Sequence, residues 1–360
     1  MKNTSPADLQ ELSIPIEDLK RCHDLLGIES WKVLTGQHIF ITGATGFIGK
    51  WLLATLLDAR KRLNIDCKIT ALSRNPDHFI QQWPHLNNQI EWIKGDVKNF
   101  TIPNKKIDCI IHAATDVCGD ASPDEIFATC HDGTRQIISL ANKCNARTLL
   151  LISSGAIYGP FPNGVTQVTE SHIGGPDPLL ASSAYAEGKR VSEWLSIQAA
   201  SDLFEVKIAR VFSLVGPHLP LDKHFAIGNF IRSVLDNQEI IIKGDGSAYR
   251  SYLYAADMSA WLWAILLRGK SGKAYNVGSD KAISIEELAK TVGYVCKKNI
   301  PIKILNQSST IKKPTYYVPD IMRIQKELNL RSPMSLEDAI IRTVKWYLNE
   351  EINHTNHNTN

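Results

Sequence analysis

The chain has 360 residues, 44% of them hydrophobic and 21% charged, with a formal net charge of +3. That length carries a large core and two domains, or one domain with a sizeable cap, and the composition is that of a folded globular protein rather than a disordered or fibrous one. So small a charge, with no sustained basic stripe and interleaved aromatics, argues against a nucleic-acid partner.

Cys22, Cys67, Cys109, Cys118, Cys130, Cys144 and Cys296 are odd in number, scattered and without a Cys-x-x-Cys pair, so reduced thiols in a cytoplasmic protein are expected. The stretch 1–10 is polar and lacks the apolar core of a signal peptide. No window approaches the roughly 18 apolar residues of a membrane span, so no membrane partner is expected.

Leu9, Leu12, Leu19, Leu25 and Leu26 fall at helical spacings and predict one or two short helices in an N-terminal extension over 1–36. From Gln37 short apolar runs alternate with helical stretches. Strands are expected at 39–42, 68–72, 90–93, 107–111 and 148–152, and helices at 47–60 and 123–143. Such alternation predicts an α/β fold, a doubly wound parallel sheet covered on both faces. A loop rich in Pro and Gly over 159–182 crosses the end of the sheet, and a helix at 183–200 with a strand at 205–210 completes a nucleotide-binding unit over 37–212. Beyond Ser213 the alternation fades. Helices at 224–236, 256–268, 284–298 and 335–348, with short strands at 240–243 and 274–277, suggest a smaller C-terminal cap over 213–348, part of which returns to the main unit. Trp261 and Trp263 are expected to fill the cap's core, and 349–360 to form a frayed polar tail whose His354 and His357 hold no metal.

The first strand breaks into Gly43, Gly46 and Gly49 before an apolar helix. A strand, a glycine turn and a helix N-terminus in this order form a dinucleotide cradle: Gly43 for the tight turn, Gly46 for backbone approach to a pyrophosphate, Gly49 for close packing of helix on strand. Farther on, Tyr185 and Lys189 stand four apart on one helix face, where the ammonium favours a phenolate and lowers the phenol's pKa from near 10. Ser154 lies at a strand's C-terminal end, where catalytic groups of α/β folds collect.

With these motifs the chain resembles the extended short-chain dehydrogenases/reductases, the epimerase/dehydratase branch that acts on sugar nucleotides. The resemblance rests on the glycine loop, Gly95-Asp96, His112-Ala113-Ala114, Ser153 and Ser154 through Tyr158-Gly159, Tyr185/Lys189, Arg210, Arg250 with Asp257, and Tyr275 to Gly278, and it spans 38 to about 345. It implies a Rossmann-type sheet with a smaller α/β substrate-binding cap. Tyr185 is then the general acid/base, Lys189 orients the nicotinamide ribose, and Ser154 hydrogen-bonds the reacting oxygen. It implies further cofactor contacts from Thr45, Phe47 and Ile48 beside the three glycines, from Ser73 and Arg74 after the second strand, from Asp96 and Val97 at the adenine, and from Ala113, Ala114 and Ser153. Thr115, Ser213, Asn229 and Arg250 are the implied substrate contacts, Arg250 at the diphosphate, where its planar fork suits phosphate oxygens. His224 is a further candidate for diphosphate or base. No metal is implied, and the partner is a nucleotide-diphosphate sugar, with a homodimer formed through helices 123–143 and 183–200.

Departures from the family pattern narrow the reaction. Dehydratases and decarboxylases of this branch carry an acidic residue shortly after the hydroxyl residue matching Ser154, and here Gly155 and Ala156 follow. Elimination and decarboxylation are thereby disfavoured, leaving keto-sugar reduction or epimerisation. NAD-selective relatives end the second strand with an acid, whereas this chain has Ser73-Arg74, which favours NADP(H), with NAD(H) the other option. The leading expectation is an NADPH-dependent NDP-4-keto-6-deoxyhexose reductase serving surface polysaccharide (O-antigen) synthesis. The alternatives are an NAD-dependent NDP-sugar 4-epimerase and a non-catalytic NADP-binding regulator. Cys130-His131-Asp132 replaces a common Asn motif, and Ser213 stands for a common Asn. Lys243 stands where an aromatic often stacks on the base. His112 is expected to line the cofactor pocket rather than catalyse, and Cys118 and Cys130 to be packing residues.

Overall fold

The computed structural model describes residues 11–115, 121–223, 225–306, 314–331 and 333–357. Residues 1–10, Cys118 and His224 lie outside the described residues.

Runs of apolar and β-branched residues bounded by polar turns form seven strands: β1 (His38–Thr42), β2 (Lys68–Ser73), β3 (Glu91–Lys94), β4 (Cys109–His112), β5 (Thr148–Ser154), β6 (Glu205–Val211) and β7 (Lys273–Val277). They pair in parallel in the order β7-β6-β5-β4-β1-β2-β3. The order reverses between β1 and β4, whose register sets Thr42 opposite His112. Loops leaving two such strands diverge and open a crevice at their C-terminal ends.

Alternate residues divide between two cores, as strand geometry requires. Ile39, Ile41, Ile111 and Ile152 face one side, while Phe40, Ile110, Leu149 and Leu151 face the other. α1 (Ile16–Leu26), α2 (Ile28–Lys32) and α3 (Phe47–Arg62) supply residues to the first core, and α4 (Pro76–Gln82) packs near β3. α5 (Pro123–Lys143), started by a Ser122/Glu125 capping box, and α6 (Ala184–Gln198) pack against each other on the other side. The cap holds α7 (Ala226–Leu235), α9 (Ile285–Val295) and short strand pairs, among them Ile240–Ile242 with Ile302–Ile304.

Three expectations are corrected here. The helix placed in the cap with Trp261 and Trp263 is α8 (Ala255–Arg268), and it covers the central sheet beside α3: Trp263 donates to Thr55 Oγ1 of α3 at 2.9 Å, and its ring lies 5.3 Å from Trp31. A helix enclosed on all sides is apolar all round, so its periodicity names no face. β7, expected among the cap's short strands, is the edge strand of the main sheet. Past α10 (Met322–Leu328), α11 (Leu336–His357) continues well beyond the expected end at 348.

The N-terminal extension is welded to this core by charge as well as by apolar packing. Arg21 of α1 grips Asp257 at the start of α8 with two nitrogens, at 2.5 and 3.2 Å. Asp18 accepts from Tyr254 at 2.5 Å and from Arg342 of α11 at 2.6 Å. Asp257 keeps 1% of its side chain exposed and also accepts the Met334 backbone N–H at 2.7 Å. Breaking a buried pair from one side strands the other charge. Arg21→Met should therefore lower the unfolding free energy by about 3 kcal/mol in urea titrations, while Lys32→Met, which removes an exposed pair with Glu29, should change it by less than about 0.5 kcal/mol.

Candidate active site

A cavity of about 1120 Å³ lies over the C-terminal ends of the central strands, between the sheet and the cap. It exceeds the roughly 300–1,000 Å³ that holds one drug-sized ligand. It therefore has room for more than one.

One end is built by the glycine turn. Gly43 has φ +67°, and a Cβ there would lie 2.7 Å from the Ala113 carbonyl carbon; one on Gly49 would lie 2.2 Å from the Gly43 oxygen. The turn and the helix can close on each other only without side chains. Gly46 is the N-cap of α3 and supplies no side-chain cap, so first-turn N–H groups of α3 remain available to an anion in the cavity. Thr42 Oγ1 joins the two diverging loops, accepting the backbone N–H of Ala113 and of Ala114 at 3.1 Å each. Thr45, Phe47, Ile48, Ser73, Arg74, Asp96, Val97, Ala113 and Ala114 line the same end. These residues fit a dinucleotide: a side-chain-free pyrophosphate cradle, a cation at the end of β2, and at Asp96 a carboxylate fixed by the Lys98 N–H at 2.9 Å.

Toward the cap, Ser153 and Ser154 end β5, and Tyr185 and Lys189 stand one turn apart on α6, all on the cavity wall. Lys189 Nζ lies 5.9 Å from the Tyr185 ring centroid. The ammonium is buried. It donates to the Ile152 carbonyl at 2.8 Å and to Thr115 Oγ1 at 2.6 Å, and burial lowers its pKa while Glu193, one turn further, acts in the opposite direction. Glu193 accepts from Ser153 at 2.5 Å and from Arg210, which also donates to Tyr158; Tyr158 in turn donates to Asn276. Sequence reasoning missed Glu193, although its i+4 spacing from Lys189 was a usable signal.

Thr115, Ser213 and Arg250 line the substrate side with Phe212, Tyr252 and Tyr317. Asn229 lies inside α7, off the cavity wall, and Lys243 is exposed beyond the end of the Ile240–Ile242 strand. Lys50 and Tyr317 are lining residues that no motif marked; Tyr317 sits 163 positions from Ser154, in a stretch without periodicity.

His112, expected on the cofactor pocket, is buried behind it. Its Nδ1 lies 2.9 Å from Thr42 Oγ1 and its Nε2 3.4 Å from Thr134 Oγ1. Burial, and then the nearby Lys189, push its pKa down from 6.5 to about 3. A histidine held neutral in the fold and free to protonate when unfolded stabilises the fold fully above pH 6.5, and that contribution is lost as pH falls toward 3. Stability should fall by roughly 1.4 kcal/mol per pH unit on this account from about pH 6 to 4. The slope should flatten in His112→Asn when both are followed by denaturant titration across that range.

The model of the NAD dependent epimerase/dehydratase family matches residues 39–278. UDP-glucuronic acid decarboxylase 6 of Arabidopsis thaliana is 29% identical over 313 residues, covering 85% of this chain and 87% of the relative; UDP-glucuronic acid decarboxylase 1 of Xenopus tropicalis is 28% identical over 327 residues, covering 89% and 74%. Among solved structures, UDP-glucose 4-epimerase of Thermotoga maritima with UDP-glucose superposes with a TM-score of 0.74 at 18% identity, over 87% of this chain and 99% of that one. UDP-glucuronic acid 4-epimerase of Bacillus cereus with NAD gives 0.71 at 22% identity, over 86% and 98%. At these identities the superpositions establish the fold.

Proposed function

The chain belongs to the NAD dependent epimerase/dehydratase family, and from that premise we propose that it is a nucleotide-sugar 4-epimerase, oxidising and re-reducing one sugar carbon. The observation that carries this reading is what the substrate end of the cavity lacks. Among the described lining residues the only carboxylate is Asp96, at the opposite, nucleotide end. Gly155 and Ala156 stand where the resemblance puts an acid in dehydratases and decarboxylases, so no described group is placed to take a proton from a neighbouring carbon. This departs from the decarboxylases to which the chain is similar in sequence, and it accords with the 4-epimerases among its structural neighbours.

When bound, a nicotinamide dinucleotide supplies the hydride acceptor and donor. The chain's own residues do the rest. Ser154 holds the sugar oxygen, and Tyr185 takes its proton as the carbon is oxidised and returns it on reduction. Lys189 favours the phenolate form of Tyr185 and holds Thr115 in place. Arg250 faces the diphosphate. A homodimer through α5 and α6 belongs to the same proposal, supported by Trp194 and Phe127, which are exposed on those helices.

A second reading, an NADPH-dependent keto-sugar reductase, is favoured by Arg74. It lines the cavity after β2, and no lining carboxylate is near it in sequence to repel a 2′-phosphate. The two readings separate on incubating the protein with UDP-glucose or dTDP-glucose, following the product by NMR and the reduced nicotinamide by absorbance. Interconversion at C4 without net cofactor consumption supports the epimerase. Stoichiometric NADPH loss with 4-keto-6-deoxy sugars, and no interconversion, replaces it with the reductase.

Tyr185→Phe should bind cofactor as the parent does while turnover drops by two or more orders of magnitude; substantial remaining turnover would remove Tyr185 from the chemistry. Arg74→Asp should shift the ratio of NADPH to NADH affinities toward NADH by about ten-fold or more in fluorescence titrations, and an unchanged ratio would show that Arg74 does not read the 2′-phosphate.

A further inference from the structure

The N-terminal extension reaches the turn that follows β6. Two of its residues each give a carbonyl to a ring: the Leu12 oxygen lies 2.7 Å from His218 Nε2, and the Ser13 oxygen accepts from Trp346 Nε1 at 2.6 Å. The two rings pack on each other at 4.6 Å, which closes a circuit between the extension, α11 and the turn. Two further donors hold the same turn. Trp51 of α3 donates to the Pro217 carbonyl at 3.0 Å, and the Tyr347 hydroxyl donates to the Leu219 carbonyl.

The turn carries part of the cavity wall. Leu219 and Pro220 line the cavity, as do Ala226 and Ile227 at the start of α7. That helix rests on the turn, since a Cβ on Gly228 would lie 2.7 Å from the Pro220 oxygen. His218 itself stands off the wall, one residue before it. Its φ of +68°, like +55° at Leu12 and +52° at Ser13, is left-handed backbone that residues with side chains adopt at a cost and keep where their surroundings impose it. A carbonyl only accepts, so His218 Nε2 carries the hydrogen of its bond to Leu12. Burial first, and then the Lys50 ammonium on the cavity wall, lower the imidazole's pKa from 6.5 to about 4 and keep it neutral.

We propose that residues 12–14 form a strap that positions the cap-side wall of the cavity through His218, a positioning residue rather than one that touches a ligand. The strap holds the turn in a conformation that the turn's own residues do not favour, and the turn sets where Leu219, Pro220 and the start of α7 stand. That the ligand on this wall is a nucleotide sugar rests on the functional reading above; the tie between strap and wall does not. Coupling of this kind is reciprocal. A ligand seated against the held wall must therefore steady residues 12–14, although they lie off the cavity.

The test uses two variants. His218→Asn keeps a residue that adopts left-handed backbone readily and removes the ring with its bond to Leu12; Tyr347→Phe releases the Leu219 carbonyl and leaves the His218–Trp346 contact in place. Without ligand, hydrogen exchange in His218→Asn should be faster over both 12–14 and 219–222, with β1 and β5 as in the parent. In calorimetry with NAD(H) present, UDP-glucose or dTDP-glucose should bind roughly three- to ten-fold more weakly to either variant, and NAD(H) affinity should be unchanged. The sugar nucleotide should slow exchange at 12–14 in the parent and not in His218→Asn. Lower stability with unaltered sugar-nucleotide affinity would reduce His218 to a packing residue and overturn the strap, as would faster exchange at 12–14 with 219–222 unaffected. Failure of the parent to bind either sugar nucleotide would overturn the functional reading, and faster exchange of both segments in His218→Asn would then still uphold the strap.

Discussion

The site is organised by one buried ammonium. Lys189 gives up bulk water on α6 and recovers two hydrogen bonds, which it donates to the Ile152 carbonyl on β5 and to Thr115 Oγ1 after β4. An ammonium has three N–H groups, and the residue lines the cavity, so the third remains for whatever occupies it. The same charge fixes its surroundings. It helps keep His112 neutral behind the sheet, and its own burial, which lowers its pKa, is opposed in part by Glu193, one helical turn on. Glu193 would itself be an isolated buried charge without Arg210, and Arg210 reaches on through Tyr158 to Asn276 at the end of β7. The positions of four strands and a helix are thereby coupled to the charge state of one lysine.

The second constraint is the reversal of strand order between β1 and β4. It opens the crevice, and Thr42 sets its width by bonding across the gap to Ala113 and Ala114. Glycines at 43 and 49 then let α3 start close enough to the sheet for its uncapped first turn to face the cavity. The N-terminal extension serves this arrangement at a distance. Arg21 and Asp18 tie α1 to α8 and to α11, and α1 and α8 both pack on α3, so the helix whose N-terminus faces the cavity is backed by a layer of charge-paired and aromatic contacts.

The legible part of this architecture was whatever has a local period or a local motif. Strands β1 to β6 and helices α3, α5 and α6 follow from apolar runs and turn chemistry between 37 and 212, and the glycine turn, Ser154, Tyr185 and Lys189 line one cavity, as their spacing and the family resemblance implied. What stayed hidden is non-local. α8 carries Trp261 and Trp263 into the main core because it is apolar on every side, and no pattern in such a helix says which layer encloses it. β7 looks like any short strand until its pairing with β6 is known. Tyr317 has no sequence signal at all, since its meaning comes from a distance to Ser154 that only the folded cap creates. Asn229 shows the converse: a polar residue on a cap helix that the helix turns away from the cavity.

The chemistry open to the site follows from what its substrate end can and cannot do with protons. An acid at position 155 would require space that is not offered there. A Cβ on Gly155 would meet the Phe212 ring at 2.6 Å, and Phe212 in turn packs on Tyr317. Aromatic rings thus occupy the volume next to Ser154, and an unpaired carboxylate placed among them would carry a raised pKa and a desolvation cost. The Arg250 guanidinium lies 5.8 Å from the Tyr317 ring centroid. Among the described residues, the wall beside Ser154 offers the rings of Phe212 and Tyr317 and hydroxyl groups, and no carboxylate. On the proposed reading, a wall of that kind suits oxidation and reduction at one sugar carbon rather than removal of a proton from its neighbour.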